Sequence, residues 1–194
     1  MLFRSYNNIF IQKWPSEDLE LMNDSDPDKK YVENRKVGTY CFDEYPSYDE
    51  WIPQFDIEEE YPNMMKHEDA HFAHLPVWID GNAYFEGASG WKKEKNAFTD
   101  NSGKVHVDVV EKDGSFFLDT NIYEVLGGFK ADMISTETLG KAFEPQQMFE
   151  NPDGTPITFD TDYFGEHRAA DVIPGPFVSG KEVAERLFDK LYIE

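Results

Sequence analysis

The string from His67 to His71 is a pattern that could bind zinc. It matches the zincin motif His-Glu-x-x-His, in which two imidazoles one helical turn apart hold the metal and Glu68 polarises a bound water. The neighbouring residues weaken the match, because Lys66 and Asp69 are charged where the helix of a zinc protease is usually apolar. A solvated helix face is therefore the favoured interpretation. No cofactor is expected, and zinc held by His67 and His71 is the alternative.

Three carboxylates at repeated positions form a second candidate site. Each follows an Asp-Gly dipeptide and a short apolar run, and together they are Glu86, Asp119 and Asp160. If the three runs lie in one sheet, these groups could converge and act as general acid and base, as paired carboxylates do in glycosidases. Abundant aromatic residues would suit stacking against sugars. Since the chain has 39 acidic residues, chance placement and helix capping are favoured over catalysis.

A third cluster surrounds His167, which lies beside Arg168 and before the turn Pro174-Gly175-Pro176. A loop held between two such elements is a common place for function, and His167 joins Glu68, Glu86, Asp119 and Asp160 as a catalytic candidate. The sequence contains no phosphate-binding glycine loop, dinucleotide fingerprint or nucleophile elbow. Chemistry that depends on nucleotides is therefore disfavoured.

The elements that would position these residues are indicated mainly by Asp-Gly turns. Asp-Gly between apolar runs favours a β-hairpin, so hairpins are predicted over residues 77–86, 105–119 and 148–160. At the C-terminus a capping box from Ser179 to Glu182 precedes an apolar stripe at helical spacing. These signals predict an α+β fold with a mainly antiparallel sheet and an amphipathic C-terminal helix packed on it.

Shorter segments give local predictions of their own. The run Ile9–Ile11 reads as a strand, and residues 63–75 between two prolines could be helical. Thr120 or Asn121 can cap a short helix that stops at Gly127.

The composition describes one folded, very acidic domain. The 194 residues carry a net charge of −21, yet 16 Phe, 10 Tyr and 4 Trp are too many for a solvated tail. We expect a single domain over 1–194, with an acidic, aromatic, partly irregular portion at 1–62 and a hairpin-rich core at 63–194. Cys41 is the only cysteine, which excludes an intrachain disulfide, and no secretory signal is recognisable at the start. A cytoplasmic location is expected.

The negative net charge also limits the kinds of binding partner that we expect. It argues against binding nucleic acids or anionic membranes, and it would attract a basic protein. Residues 40–61 interleave aromatic and acidic side chains, a mixture that either packs on the core or presents a recognition surface. The candidate contact residues are Asp43, Glu44, Tyr45, Tyr48, Asp49, Glu50 and Trp51.

Two functional hypotheses follow from the sequence. The first is an acidic intracellular protein that binds a macromolecular partner, in an inhibitor, immunity-type or nucleic-acid-mimic role. The second is a hydrolase, either metal-dependent through His67, Glu68 and His71 or glycosidase-like through paired carboxylates. The sequence does not predict an oligomeric state.

Overall fold

The computed structural model describes residues 3–12, 36–54, 74–142 and 145–178 and the backbone of 184–189. Short strands dominate these segments, and the helices are short. The strands are β1 (Phe3–Tyr6), β2 (Ile9–Ile11), β3 (Val77–Asp80), β4 (Ala83–Phe85), β5 (Phe98–Asp100), β6 (Val107–Lys112), β7 (Ser115–Thr120), β8 (Ala131–Asp132), β9 (Asp171–Val172) and β10 (Ala184–Asp189). The α-helices are α1 (Tyr48–Trp51), α2 (Ile122–Leu126) and α3 (Thr136–Leu139), with 3-10 turns at Tyr40–Phe42 and Ile52–Gln54.

Stacked parallel strands form the centre of the molecule. Strand β1 lies parallel to β3 and β2 lies parallel to β4, in one register that runs from Phe3 opposite Val77 to Ile11 opposite Phe85. Strand β5 then pairs in parallel with the other side of β4. A strand, a short corner and a second strand stacked on an equivalent unit form the repeat of a parallel β-solenoid. We call residues 3–12 and 77–86 the two rungs.

The corners of the two rungs are joined by an asparagine pair. Asn82 is fully buried, and its Oδ1 accepts hydrogen bonds from the backbone N–H of Asn8 at 3.0 Å and from the Asn8 amide at 3.1 Å. Its own amide donates to the carbonyl of Ser5 at 3.1 Å. A buried amide is tolerated when its donors and acceptors are paired, and here the pairing also fixes which corner lies on which.

Alternation along the rungs separates a core face from an outer face. Val77 and Ile79 of β3 are buried and pack with Trp91 in one apolar cluster. A second cluster contains Ala83 and Phe85 of β4 and the buried side of α2. Side chains on a strand point alternately to opposite faces, so Trp78 and Asp80 of β3 lie on the outer face, whereas Tyr84 of β4 is buried as well.

The predicted mainly antiparallel sheet of three hairpins is wrong. Asp80-Gly81 turns the chain between β3 and β4, which pair in parallel with other strands and not with each other. Asp153-Gly154 lies in a turn closed by a single bridge between Glu150 and Pro156. Asp113-Gly114 alone of the three joins paired antiparallel strands, β6 and β7. The dipeptide supplies a turn, whereas the pairing partner of each flanking run is decided by burial elsewhere.

The predicted C-terminal helix is also wrong. Residues Ala184–Asp189 form strand β10, which pairs antiparallel with β7. An apolar run of this length fits either element, and the unpaired edge of β7 offers backbone hydrogen bonds that favour a strand. The capping-box residues 179–182 lie outside the described residues.

Several local predictions are confirmed. Ile9–Ile11 is a strand, and α2 ends at Gly127, which adopts the left-handed conformation with φ of 59°. Asn121 is the N-cap residue of α2 and makes no side-chain capping hydrogen bond, whereas the hydroxyl of Thr120 accepts from the backbone N–H of Ile122 at 3.2 Å. The mixture of strands and short helices is loosely consistent with an α+β protein. No helix in the described part of the chain is both long and apolar enough to span a membrane.

Candidate functional site

The outer face of the first strand pair forms the floor of a cleft. Arg4 lies opposite Trp78 and Tyr6 lies opposite Asp80 in the parallel register of β1 and β3. These four residues alternate with the core residues of the same strands, which places them side by side on one surface. We call them the outer row.

Three adjoining cavities open around the outer row. The first, about 360 Å³, includes Tyr6 and Trp78 in its lining. The second, about 430 Å³, includes Arg4 and Tyr6, and the third, about 280 Å³, includes Arg4 and Trp78. The first two volumes fall in the range of small-molecule sites. Because the cavities share wall residues, they adjoin one another, and together we call them the cleft.

The first cavity combines aromatic rings with charged groups, and we call it the aromatic cavity. Tyr48 of α1 stacks on Trp78, with ring centroids 5.8 Å apart. Together with Tyr6 these rings give the wall an apolar surface. The lining also contains carboxylates and ammonium groups, namely those of Asp49, Asp80, Asp132, Lys93 and Lys95.

A buried polar chain holds the loop that carries Trp91 and the two lysines. The backbone N–H of Trp91 donates to the hydroxyl of Thr39 at 2.9 Å, and that hydroxyl contacts the Tyr84 hydroxyl at 2.7 Å. Tyr84 donates in turn to Glu94 at 2.7 Å. The other oxygen of Glu94 accepts from the backbone and side-chain nitrogens of Asn82 at 2.9 and 2.8 Å. The corner of the second rung is thus connected to the wall of the aromatic cavity.

Burial changes the protonation of several groups in and below the cleft. It raises the pKa of the Glu94 carboxyl, against the opposing effect of the hydrogen bond from Tyr84. It also raises the pKa of the Tyr84 hydroxyl strongly. In the outer row, burial raises the pKa of Tyr6, which the charge of Arg4 partly offsets. Both tyrosines are therefore neutral hydrogen-bonding groups at neutral pH.

Arg4 lies between aromatic rings at the boundary of the second and third cavities. Its guanidinium carbon is 4.0 Å from the centroid of the Trp78 ring and 4.8 Å from that of Phe149. One terminal nitrogen donates to the carbonyl of Lys141 at 2.9 Å, and Nε is buried without a hydrogen-bond partner. Burial lowers the pKa of this guanidinium, which nevertheless stays charged because arginine titrates far above neutral pH.

The three carboxylates predicted from the repeated runs have separate partners. Glu86 accepts from the backbone N–H of Val105 at 3.2 Å. Asp119 contacts the His106 ring at 3.2 Å, and Asp160 lies 3.7 Å from the ring of His167. None of Glu86, Asp119, Asp160 and His167 lines the three cavities of the cleft.

The candidate metal ligands His67 and His71 lie outside the described residues, as does Glu68. In the segments that the structure does describe, no group of three or more His, Cys, Asp or Glu side chains could hold a metal ion.

The acidic aromatic segment around α1 packs against the second rung. A capping box between Ser47 and Glu50 starts the helix, and Trp51, its last residue, is buried. Tyr45 stacks on His74, while Asp43 accepts from the backbone N–H of Lys92 at 2.8 Å. Of the seven residues predicted to bind a partner, only Tyr48 and Asp49 line the cleft.

Arg4, Trp78 and Asp80 were not among the predicted site residues. Val77-Trp78-Ile79-Asp80 alternates apolar and outward-facing positions, a signal that was available in the sequence. The resemblance of Asn8-Ile-Phe-Ile to Asn82-Ala-Tyr-Phe was a second signal, because the two runs form the stacked corners.

Stacked parallel rungs and an aromatic cleft place the chain among strand-rich proteins with a ligand-sized groove beside a solenoid core. Its fold is similar to a solved structure of XylC in complex with xylose, with a TM-score of 0.68 and 24% sequence identity. The match covers 90% of this chain and 24% of XylC, so the chain spans about a quarter of the length of XylC. No family model and no curated protein sequence matches the chain. A likeness at this identity indicates a shared fold and leaves the activity open.

Proposed function

We propose that the cleft binds a saccharide and that the aromatic cavity holds one neutral sugar unit. The observation that carries the proposal is the cavity of about 360 Å³ in which Tyr48 and Trp78 lie beside several charged groups. The similarity in fold to a protein whose structure contains xylose supports a sugar of that class.

The chemistry of the wall matches that of a sugar ring. A pyranose presents C–H groups that pack on aromatic rings and hydroxyl groups that both donate and accept hydrogen bonds. The carboxylates of Asp49, Asp80 and Asp132 can accept from hydroxyl groups, and Lys93 and Lys95 can donate to them. Asp80 already accepts from the backbone N–H of Asn96 at 2.8 Å, which fixes its position.

The first prediction is that xylose or a short xylo-oligosaccharide binds to the purified protein and that Trp78→Ala weakens this binding about tenfold or more. Titration followed by calorimetry or by amide chemical shifts measures both affinities. Tyr163→Ala is the matched control, because that ring is 59% exposed and lines none of the three cavities. Absence of saturable binding, or equal affinities for the Trp78→Ala variant and the unaltered protein, contradicts the proposal.

A second candidate function is glycoside hydrolysis by two carboxylates of the same cavity. It is supported by the presence of Asp49, Asp80 and Asp132 in one lining, since glycosidases use two carboxyl groups on either side of the scissile bond. Release of nitrophenol from a nitrophenyl xyloside, lost in Asp80→Asn while xylose still binds, would favour hydrolysis over simple binding.

Recognition of a basic protein through residues 43–51 stays a prediction from the sequence. The burial of Trp51 and the packing of Tyr45 leave that segment less aromatic surface than the sequence pattern indicated.

A further inference from the structure

The second cavity differs in charge from the aromatic cavity, and we call it the arginine cavity. Arg4 and Arg168 line it, and no Asp or Glu among the described residues does. The chain as a whole has 39 acidic and 18 basic residues. A cavity of about 430 Å³ that is lined by two arginines, and by no Asp or Glu of the described segments, is therefore an exception on a strongly negative protein.

Both guanidinium groups are held in place by neutral groups. Arg4 lies against two aromatic rings and donates to one backbone carbonyl, and within the described residues it forms no salt bridge. Arg168 donates to the carbonyls of Thr161, Ile173 and Gly175 at 3.2, 3.2 and 2.8 Å. These contacts fix the positions of the arginines without supplying a negative charge.

Asp162 is the acidic group that interacts with Arg168, and its own oxygens are already engaged. One accepts from the backbone N–H groups of Phe164 and Glu166 at 2.9 and 2.8 Å, and the other accepts from Val178 at 3.2 Å. Hydrogen bonds from the backbone and the charge of Arg168 together lower the pKa of this carboxyl, although its partial burial acts in the opposite direction. Asp162 does not line the arginine cavity.

We propose that the arginine cavity binds the carboxylate of a uronic acid unit, next to the neutral sugar in the aromatic cavity. The inference rests on the proposed saccharide function and specifies its ligand as an acidic oligosaccharide. Planar guanidinium groups are well suited to carboxylates, which can accept two parallel hydrogen bonds. Thr161 and Phe159 supply a hydroxyl and an aromatic ring for the rest of the sugar. Tyr6 lines both cavities, so the two sugar units would be neighbours.

The net charge of −21 opposes the binding of an anion, but its reach is limited. At physiological ionic strength screening reduces the field of exposed carboxylates beyond about 8 Å. Charge-assisted hydrogen bonds inside a partly buried cavity act at contact distance and are screened much less. At that salt concentration the arginines in the cavity therefore outweigh the acidic groups that lie beyond this distance.

The test compares D-glucuronate with D-glucose, which differ in the carboxylate at C6. The expected result is that glucuronate binds about tenfold more tightly in calorimetric or chemical-shift titrations, and that Arg4→Gln removes most of this preference. Equal affinity for the two sugars in the unaltered protein overturns the inference. Xylose binding that is lost in Trp78→Ala would then still support the proposed function, so the two failures are distinguishable.

A second variant covers the case in which Arg4→Gln does not fold. Leu139 lines the arginine cavity, and Leu139→Glu introduces a carboxylate there, while Leu139→Gln introduces a neutral side chain of the same shape. The preference for glucuronate should fall further in Leu139→Glu than in Leu139→Gln. Equal preferences in these two variants contradict the inference.

Inorganic phosphate separates a sugar site from a general anion site. If phosphate at equal concentration displaces glucuronate as effectively as unlabelled glucuronate does, the cavity recognises an anion and not a uronic acid, and the inference is wrong. Weak competition by phosphate supports it.

Discussion

The same dipeptide, Asp-Gly, has two different structural roles in this molecule. Asp80-Gly81 forms the corner of the second rung, and Asp113-Gly114 forms the tip of the β6–β7 hairpin. Both glycines adopt positive φ, 73° and 78°. A Cβ at position 81 would meet the side chains of Asn7 and Ala131, whereas a Cβ at position 114 would meet nothing within 4 Å. The two glycines therefore share a backbone conformation but differ in how closely other residues surround them.

Burial explains why the two turns pair their strands differently. All three residues of β4 are buried, whereas five of the six residues of β6 are exposed and Val109 is 60% exposed. A strand buried on both faces gains most from stacking between parallel neighbours, as β4 does between β2 and β5. A strand that is exposed along most of its length, such as β6, pairs with the antiparallel strand that the turn brings next to it. The turn residues determine the local reversal or bend of the chain, and the burial of the flanking strands determines which strands pair.

The largest loss of stability is expected for Asn82→Ala, in the corner of the second rung. The change removes the acceptor for the backbone N–H of Asn8 and the amide donor to the Ser5 carbonyl. Glu94 loses one donor and keeps those from the backbone of Asn82 and from Tyr84. The free energy of unfolding should fall by about 3 to 5 kcal/mol, because each unsatisfied buried group costs about 1–3 kcal/mol. Chemical denaturation measures the change. A loss below about 1 kcal/mol would show that the asparagine pair does not hold the rungs together.

The next largest loss of stability is expected for Gly81→Ala, which we compare with Gly114→Ala. Both variants place a Cβ at positive φ, which costs about 1–2 kcal/mol. Gly81→Ala should lose about 3 kcal/mol in total, because its Cβ also collides with Asn7 and lies 2.9 Å from the Cβ of Ala131. Gly114→Ala should lose about 1 kcal/mol. Equal losses in parallel denaturation experiments would remove the distinction between corner and tip.

A smaller change in stability, which depends on pH, is expected at Glu94, whose carboxylate accepts hydrogen bonds from Asn82 in the same corner. Because the folded state raises the pKa of this carboxyl, the folded protein binds its proton more tightly than the unfolded chain does. That contribution to stability is complete below the unfolded pKa and is lost as pH rises through the folded pKa. The melting temperature of Glu94→Gln minus that of the unaltered protein should therefore increase as pH rises from about 4 to 7.

Glu50→Gln is the control, because the stability that this carboxylate contributes changes with pH in the opposite direction. The Glu50 carboxylate bonds to Lys93 at 2.7 Å and to Ser47, and these contacts lower its pKa to about 2. Its stabilising contribution is present above the unfolded pKa and is lost as pH falls toward 2. The difference between Glu50→Gln and the unaltered protein should shrink at low pH and stay small throughout, because the pair is exposed. A melting temperature of Glu50→Gln that rises with pH relative to the unaltered protein, as expected for Glu94→Gln, would contradict the assignment for Glu50.

The sequence predicted the features that depend on near neighbours. Ile9–Ile11 as a strand, the left-handed stop at Gly127 and the turn at Asp113-Gly114 all follow from residues within a few positions. The stacking of Phe3 on Val77 could not be predicted in this way, because the partners are far apart in the chain. Strand β10 was missed for the same reason, since its conformation depends on the edge of β7.

The candidate site was predictable only in part. Tyr48 and Asp49 were identified from an aromatic and acidic composition, and they line the cleft for another reason, the docking of α1 on the second rung. Arg4 and Asp80 enter the site through the register of two strands. A register between distant segments is a tertiary property, and no local pattern specifies it.

The spacing of the rungs also determines the order in which the central strands can assemble. Ala83 and its partner Phe98 are 15 positions apart, whereas Phe3 and its partner Val77 are 74 positions apart. Closing the longer loop costs about 1.4 kcal/mol more in chain entropy, since the cost grows as the logarithm of loop length. Chain entropy therefore favours early pairing of β4 with β5, and we expect the first rung to dock on these strands later. The outer row, with one half on each rung, is complete only after that late step.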